Sequence, residues 1–321
     1  MVRSAQAQGL TRMLAVRRRW LLGVAAGALA GVAVARLLAD PALSSWVRAL
    51  SLSAGSAVLG LATLAAMVRG ERRPPVVLDD VWRALAVLGG VWLLLETVQL
   101  VLEAAAAVDV PVTGLDAALF AEYIGAAGAG GTAALAWVCV AACTVTAAVA
   151  YRRSARWPSE PVLVAAALAL IARPVTGHMS QQMLGSVLGA VHVLAAALWA
   201  GVLVALALTV RSRGAWAQLL PRYSTLALQC VSALAATGLI NAAVRVGSVT
   251  ALLDSGYGRL VLAKAAALAA LLILAWVWRR SWVPAAAAHR TTADISLRNS
   301  VLEVCAMAVV FGLAAALATT A

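Results

Sequence analysis

The sequence predicts an all-α, polytopic membrane helix bundle of about nine transmembrane helices, N-terminus cytoplasmic and C-terminus extracytoplasmic. Three observations predict it. Of 321 residues, 64% are apolar and 12% charged, and the mean hydropathy is +0.94. Soluble chains carry about 25% charged residues, so too few polar side chains remain here to coat a water-facing surface. The apolar runs are roughly twenty residues long, enough to cross a bilayer's hydrocarbon core. Basic residues alternate between rich and poor loops, as the positive-inside rule expects.

The runs are rich in Ala, Leu and Val and lack the short alternating pattern of barrel strands. In lipid the backbone must then satisfy itself within each segment, which means helices. The spans read as 20–39, 47–68, 82–107, 128–151, 160–176, 184–210, 223–246, 258–279 and 300–320. The fifth is the shortest. Two membrane regions are expected, a four-helix part over 1–157 and a five-helix part over 158–321.

Arg3, Arg12, Arg17, Arg18 and Arg19 precede the first span. Alternate loops hold Arg69, Arg72, Arg73 and Arg83; Arg152, Arg153 and Arg156; Arg211, Arg213 and Arg222; and Arg279, Arg280, Arg290 and Arg298. The intervening loops hold only Arg36, Arg48, Arg173, Arg245 and Arg259. This pattern requires an odd number of spans and places the protein in the plasma (inner) membrane as a multi-pass chain. The net charge of +12 therefore marks topology. With no exposed basic domain, nucleic acid is excluded as a partner.

Residues 17–35 mimic a signal peptide, but the apolar run exceeds the usual signal core. An uncleaved first span is expected. It carries Gly23, Gly27 and Gly31 at four-residue spacing, a smooth strip for close helix packing. The stretches 116–124 and 215–222 read as amphipathic segments in the interface plane. Cys139, Cys143, Cys230 and Cys305 all lie inside apolar runs, so no disulfide framework is expected.

Ionisable groups at a membrane helix centre cost about 2.5–3.5 kcal/mol on insertion scales and need a reason to be there. Glu96, Gln99 and Glu103 share one face of the third span. Two readings stand: pairing with Lys264 or arginines to hold the bundle, or a candidate ion path. Trp199, Asn241, Tyr257, Lys264 and Glu303 read as structural polar residues. Of the three histidines, His289 sits among arginines in a loop and reads as solvated. His178, Met179 and Met183 lie just past the fifth span, and His192 about two turns into the sixth from the same side. Thioether sulfur prefers Cu(I), and imidazole accepts either copper state. Hard cations would demand more oxygen ligands. The alternative is that His192 bonds a neighbouring helix and the methionines fill the interface.

From about Pro174 to its C-terminus the chain resembles the CopD family of copper-resistance inner-membrane proteins. The ordered blocks are Thr176-Gly177-His178; His192 to Gly201, similar to H-x-x-A-A-A-x-W-x-G; Tyr223-Ser224; Ala236 to Ala242; Ser255 to Arg259 with Lys264 following; Asn299 to Glu303; and Ala318-Thr319-Thr320. It departs from the pattern at Met179, where relatives have a small residue, and at Tyr223, where Phe is frequent. The resemblance implies copper handling without enzymatic activity: transport across the plasma membrane, with import or delivery toward copper enzymes expected. An extracytoplasmic copper chaperone is an implied partner.

On that reading His178, Met179, Met183 and His192 capture copper, as Cu(I) in preference to Cu(II). Glu96, Gln99 and Glu103 then ease its passage, and Cys230, Cys305 and Met307 receive it. No phosphate-binding loop is present to supply ATP energy. Two rivals remain: a b-type haem held between His178 and His192, and a non-transporting assembly partner for copper oxidase maturation.

Overall fold

The computed structural model describes residues 2–126, 128–154, 157–176, 185–245 and 255–320; side chains of 2–19, 175–176 and 241–245 are outside that description. Ten α-helices make up the described residues: α1 (Val2–Leu38), α2 (Ser44–Met67), α3 (Leu78–Ala107), α4 (Ala117–Gly125), α5 (Ala129–Arg152), α6 (Glu160–Thr176), α7 (Gly185–Thr209), α8 (Arg213–Arg245), α9 (Gly256–Ala287) and α10 (Ala293–Leu317). Eight are long and apolar enough to cross a membrane. The fifth expected span, α6, has 17 residues and reaches roughly 25 Å at 1.5 Å per residue.

Local chemistry fixes several helix starts. Asp116 caps α4 by accepting from the backbone N–H of Ala118 at 2.9 Å and Leu119 at 2.8 Å. Ser255 caps α9 through Gly258 N–H at 3.0 Å, and Thr292 caps α10 through Ile295 N–H at 3.3 Å. Asp79 and Asp80 lie in the first turn of α3, where the helix dipole favours negative charge. His289 sits exposed in the α9–α10 turn at φ 55°.

One expectation is corrected. Residues 215–222 are not a separate interfacial segment; they form part of the first three turns of α8, whose helix runs unbroken through Pro221. Trp216, Leu219 and Leu220 are buried there, so this amphipathic face packs on protein rather than lying on lipid headgroups. The 116–124 segment does form the short separate helix α4.

α2 and α7 are the most buried spans, and α9 the least. Large apolar side chains such as Leu22, Leu94, Val145 and Ile273 face outward, while Glu96, Gln99, Thr237 and Glu303 are buried. This inversion of the soluble pattern suits a lipid solvent. Lipid tails are as apolar as leucine, so close backbone packing holds membrane helices together. α1 packs on α10 through the predicted glycine strip. A Cβ on Gly27 would lie 2.8 Å from the Cys305 carbonyl oxygen, and one on Gly31 2.1 Å from that of Val309. α2 crosses α7 at Gly60 and Gly201, where a Cβ on either would approach backbone atoms of the other helix to 1.9 Å.

The basic loops meet at one end of the bundle. Arg69 pairs with Glu160, Arg211 with Asp80 at 2.5 Å, and Arg222 with Glu71 at 2.6 Å. These contacts tie together the loops after α2, α5 and α7. At the opposite end, Ala42 N–H donates to the Thr319 carbonyl at 3.3 Å, joining the α1–α2 loop to the end of α10.

Candidate functional site

The carboxylate face of α3 is built into an ion cluster. Arg173, in the last turn of α6, donates from Nη1 to Glu96 Oε2 at 2.6 Å. Its Nε donates to Glu103 Oε1 and Oε2 at 3.0 and 3.2 Å. Glu96 Oε1 also accepts from Ser51 Oγ at 2.5 Å and Trp92 Nε1 at 3.3 Å. Gln99 Nε2 donates to Glu103 Oε1 at 2.8 Å. Arg48 of α2 stands close enough for its charge to act on Arg173, Glu103 and Glu96. Two guanidiniums thus face two carboxylates, and the four charges sum to zero. Gln99 Oε1 is buried without a hydrogen bond. Lys264 is not part of the cluster; it lies on α9 within electrostatic reach of His192.

His192 is on α7, half-buried, with Nδ1 2.8 Å from Thr237 Oγ1 on α8. The threonine hydroxyl has one proton, which it donates to the Ala233 carbonyl at 2.7 Å. The imidazole contact is then made by Nδ1–H. With the threonine proton so placed, Nε2 keeps its lone pair, the form in which imidazole ligates metal. A partner that fixes the other ring nitrogen is the usual support of a metal-binding histidine. His178, Met179 and Met183 lie outside the described residues, as does the side chain of Asn241. Among the described residues no three His, Cys, Asp or Glu side chains gather as a metal cluster.

Toward the basic end lies a third polar group of residues. Glu303 on α10, Tyr223 on α8 and Trp199 on α7 are each 4% exposed. Tyr223 lies beside the Trp199 indole and within electrostatic reach of Glu303 and Cys230. The phenol oxygen and the indole nitrogen nevertheless complete no hydrogen bond. The sulfur residues face different neighbours. Cys305 points at Gly23 of α1, whereas Met307 lines a small cavity with Val24, Ser53, Ser56 and Ala200. Cys230 is buried on α8. Tyr257 is half-buried near the start of α9 and Lys264 half-buried two turns further on.

The sequence singles out His192 and the α3 carboxylates as groups that need partners, but not Thr237 beside the first or Arg48, Ser51 and Trp92 beside the second. The available signal was an arginine on the arginine-poor end of α6, beside a helix short of a full span.

The fold defines a polytopic α-helical membrane protein. Residues 217–317 match the family model described as Copper resistance protein D (CopD). The match covers most of α8 and all of α9 and α10, under half of the chain. It includes Tyr223, Cys230, Thr237, Lys264, Glu303, Cys305 and Met307 and leaves out His178, Met179, Met183, His192 and the carboxylate face. No curated protein and no solved structure matches the chain. The matched segment and the apolar helices describe a multi-pass plasma-membrane protein of copper resistance or copper handling.

Proposed function

We propose that the chain carries copper across the plasma membrane, taking Cu(I) from the outside for delivery toward copper enzymes. The CopD match over 217–317 carries this reading, because the matched segment supplies Thr237, which presents His192 for ligation. Residues 158–321 form the copper-handling region, and residues 1–157 scaffold it. Capture uses the His192 Nε2 lone pair with His178, Met179 and Met183. The nearby Lys264 charge opposes any cation held by electrostatics alone. Soft imidazole and thioether bonding, which Cu(I) accepts, is therefore favoured over a hard-cation site. The α3 carboxylates, already neutralised by arginine, serve as a clamp beside the path. An extracytoplasmic chaperone is the natural copper donor for a site on that side. Copper bound per chain, wild type against His192→Ala, tests the reading. A haem Soret band in the purified protein would replace it with the His178–His192 haem alternative.

The basic loops, joined at one end by their ion pairs, face the cytoplasm on this proposal. A reporter fused after residue 321 should then behave as extracytoplasmic. Cytoplasmic activity of that fusion would mean that α6 does not span.

A further inference from the structure

We infer that the cavity between the basic ends of α3 and α5 holds the headgroup of a zwitterionic phospholipid with a primary ammonium, whose acyl chain lies in the groove between the two helices. The cavity, about 450 Å³, is lined by Asp79, Asp80 and Arg83 at the start of α3 and by Tyr151, Arg152 and Ser154 at the end of α5. That volume falls in the range of small-ligand sites, roughly 300–1,000 Å³. Two carboxylates and two guanidiniums balance inside it, but they are not equally engaged. Asp80 Oδ1 accepts from Arg83 Nη2 at 3.4 Å, and its Oδ2 from Arg211 Nη2 at 2.5 Å. The side chains of Asp79 and Arg152 are exposed and enter no hydrogen bond or ion pair among the described residues. One spare charge of each sign therefore stands at the cavity. Arg156, two residues past Ser154, lies outside the described residues.

Below the cavity the helix seam opens toward lipid. α3 packs on α5 with Gly89 against Thr144, and Trp137 Nε1 donates to Thr97 Oγ1 at 2.8 Å. One position on from Gly89, a Cβ on Gly90 would meet nothing within 4 Å, so the seam is a groove on that side. Arg83, Val87, Gly90 and Leu94 share this face of α3, and Arg152, Val145 and Val138 share a face of α5. Val87, Leu94, Val138 and Val145 are exposed. Each stripe thus leads from a charge at the cavity into apolar surface at membrane depth. Tyr151 sits where aromatic side chains mark the headgroup level.

The chemistry selects the headgroup. A guanidinium offers phosphate several N–H donors in a planar fork. An anionic phospholipid would satisfy Arg152 but set its net charge against Asp79. A quaternary ammonium has no N–H to donate to a carboxylate and is held by aromatic cages; the cavity has one aromatic ring, Tyr151. A primary ammonium donates to Asp79 while the adjoining phosphate accepts from Arg152. Free phosphoethanolamine carries the same pair of groups, and the groove is what favours the lipid.

Native mass spectrometry of the full chain from detergent, titrated with lipids of identical acyl chains, tests this. Phosphatidylethanolamine should bind about tenfold or more tightly than phosphatidylcholine, the usual worth of a charge-assisted hydrogen bond. Asp79→Asn should erase that preference, and Arg152→Gln should weaken both lipids by a similar factor. Gly90→Leu, two turns below Arg83, should weaken both and keep their ranking. Equal binding of the two lipids by the wild type, or a preference untouched by Asp79→Asn, marks ordinary surrounding lipid and overturns the site. Tighter binding of phosphatidylglycerol than of phosphatidylethanolamine overturns the zwitterion. Free phosphoethanolamine that displaces the lipid at equal concentration, with Gly90→Leu without effect, overturns the lipid in favour of a soluble ligand.

Discussion

Arg173→Met is expected to destabilise the folded protein by about 3–5 kcal/mol, the usual loss when one partner of a buried ion pair is removed. Arg173 makes three hydrogen bonds to two carboxylates and joins α6 to α3. Its removal leaves the buried Glu96 and half-buried Glu103 carboxylates with Arg48 as the nearby cation. The double change Arg173→Met/Glu103→Gln removes one charge of each sign and should recover much of the loss. Thermal unfolding in detergent or lipid measures both. Glu96→Gln and Glu103→Gln separate the clamp from an ion path. The clamp predicts falling stability with normal copper per folded chain. Unchanged stability with lost copper movement would mean that the carboxylates line the route.

Gly201→Ala is the second large effect. The added Cβ would sit 1.9 Å from the Ser56 carbonyl oxygen, with Gly60 N only 3.1 Å away. These are backbone atoms at the crossing of the two most buried spans, so no flexible side chain can yield. Overpacking usually costs about 1–3 kcal/mol, and a backbone clash of this depth should reach or exceed that range. Membrane abundance and unfolding temperature should both drop. Gly90→Ala makes the control: its Cβ would meet nothing within 4 Å, and that variant should accumulate normally. Equal levels of the two variants would show that α2 and α7 do not cross there.

Much of the fold is legible in the sequence because the bilayer imposes simple rules. Hydrophobic run length places α2, α3, α5, α6 and α7 within a few residues, whereas α1, α8 and α10 begin well before their expected spans and α9 ends well after its own. Pro221 beside Arg211, Arg213 and Arg222 reads as a loop. The helix continues because Trp216, Leu219 and Leu220 bury against the bundle, and Arg222 finds Glu71 outside it. The Gly23-Gly27-Gly31 strip is legible because its period matches the helix.

Long-range partners are not legible in the same way. Arg173 meets Glu96 and Glu103 from 77 and 70 residues away, and His192 meets Thr237 from 45. One-dimensional spacing identifies which polar groups need partners but not which helices supply them. The inner sulfur residues illustrate the limit. Cys305 and Met307 are two residues apart on one helix, so they project to opposite sides and face different neighbours.

Copper bound by the purified chain tests copper handling through His192 most directly. Wild-type protein loaded with Cu(I) and washed should retain copper, and His192→Ala should lose all or part of it at unchanged fold. Thr237→Val keeps the ring but frees its Nδ1 and should bind about 10–100-fold more weakly, the typical cost of losing a supporting partner. Loss of all copper in both His178→Ala and His192→Ala marks one shared site, and partial loss in each marks two sequential ones. Undiminished copper in the double variant His178→Ala/His192→Ala would contradict the account.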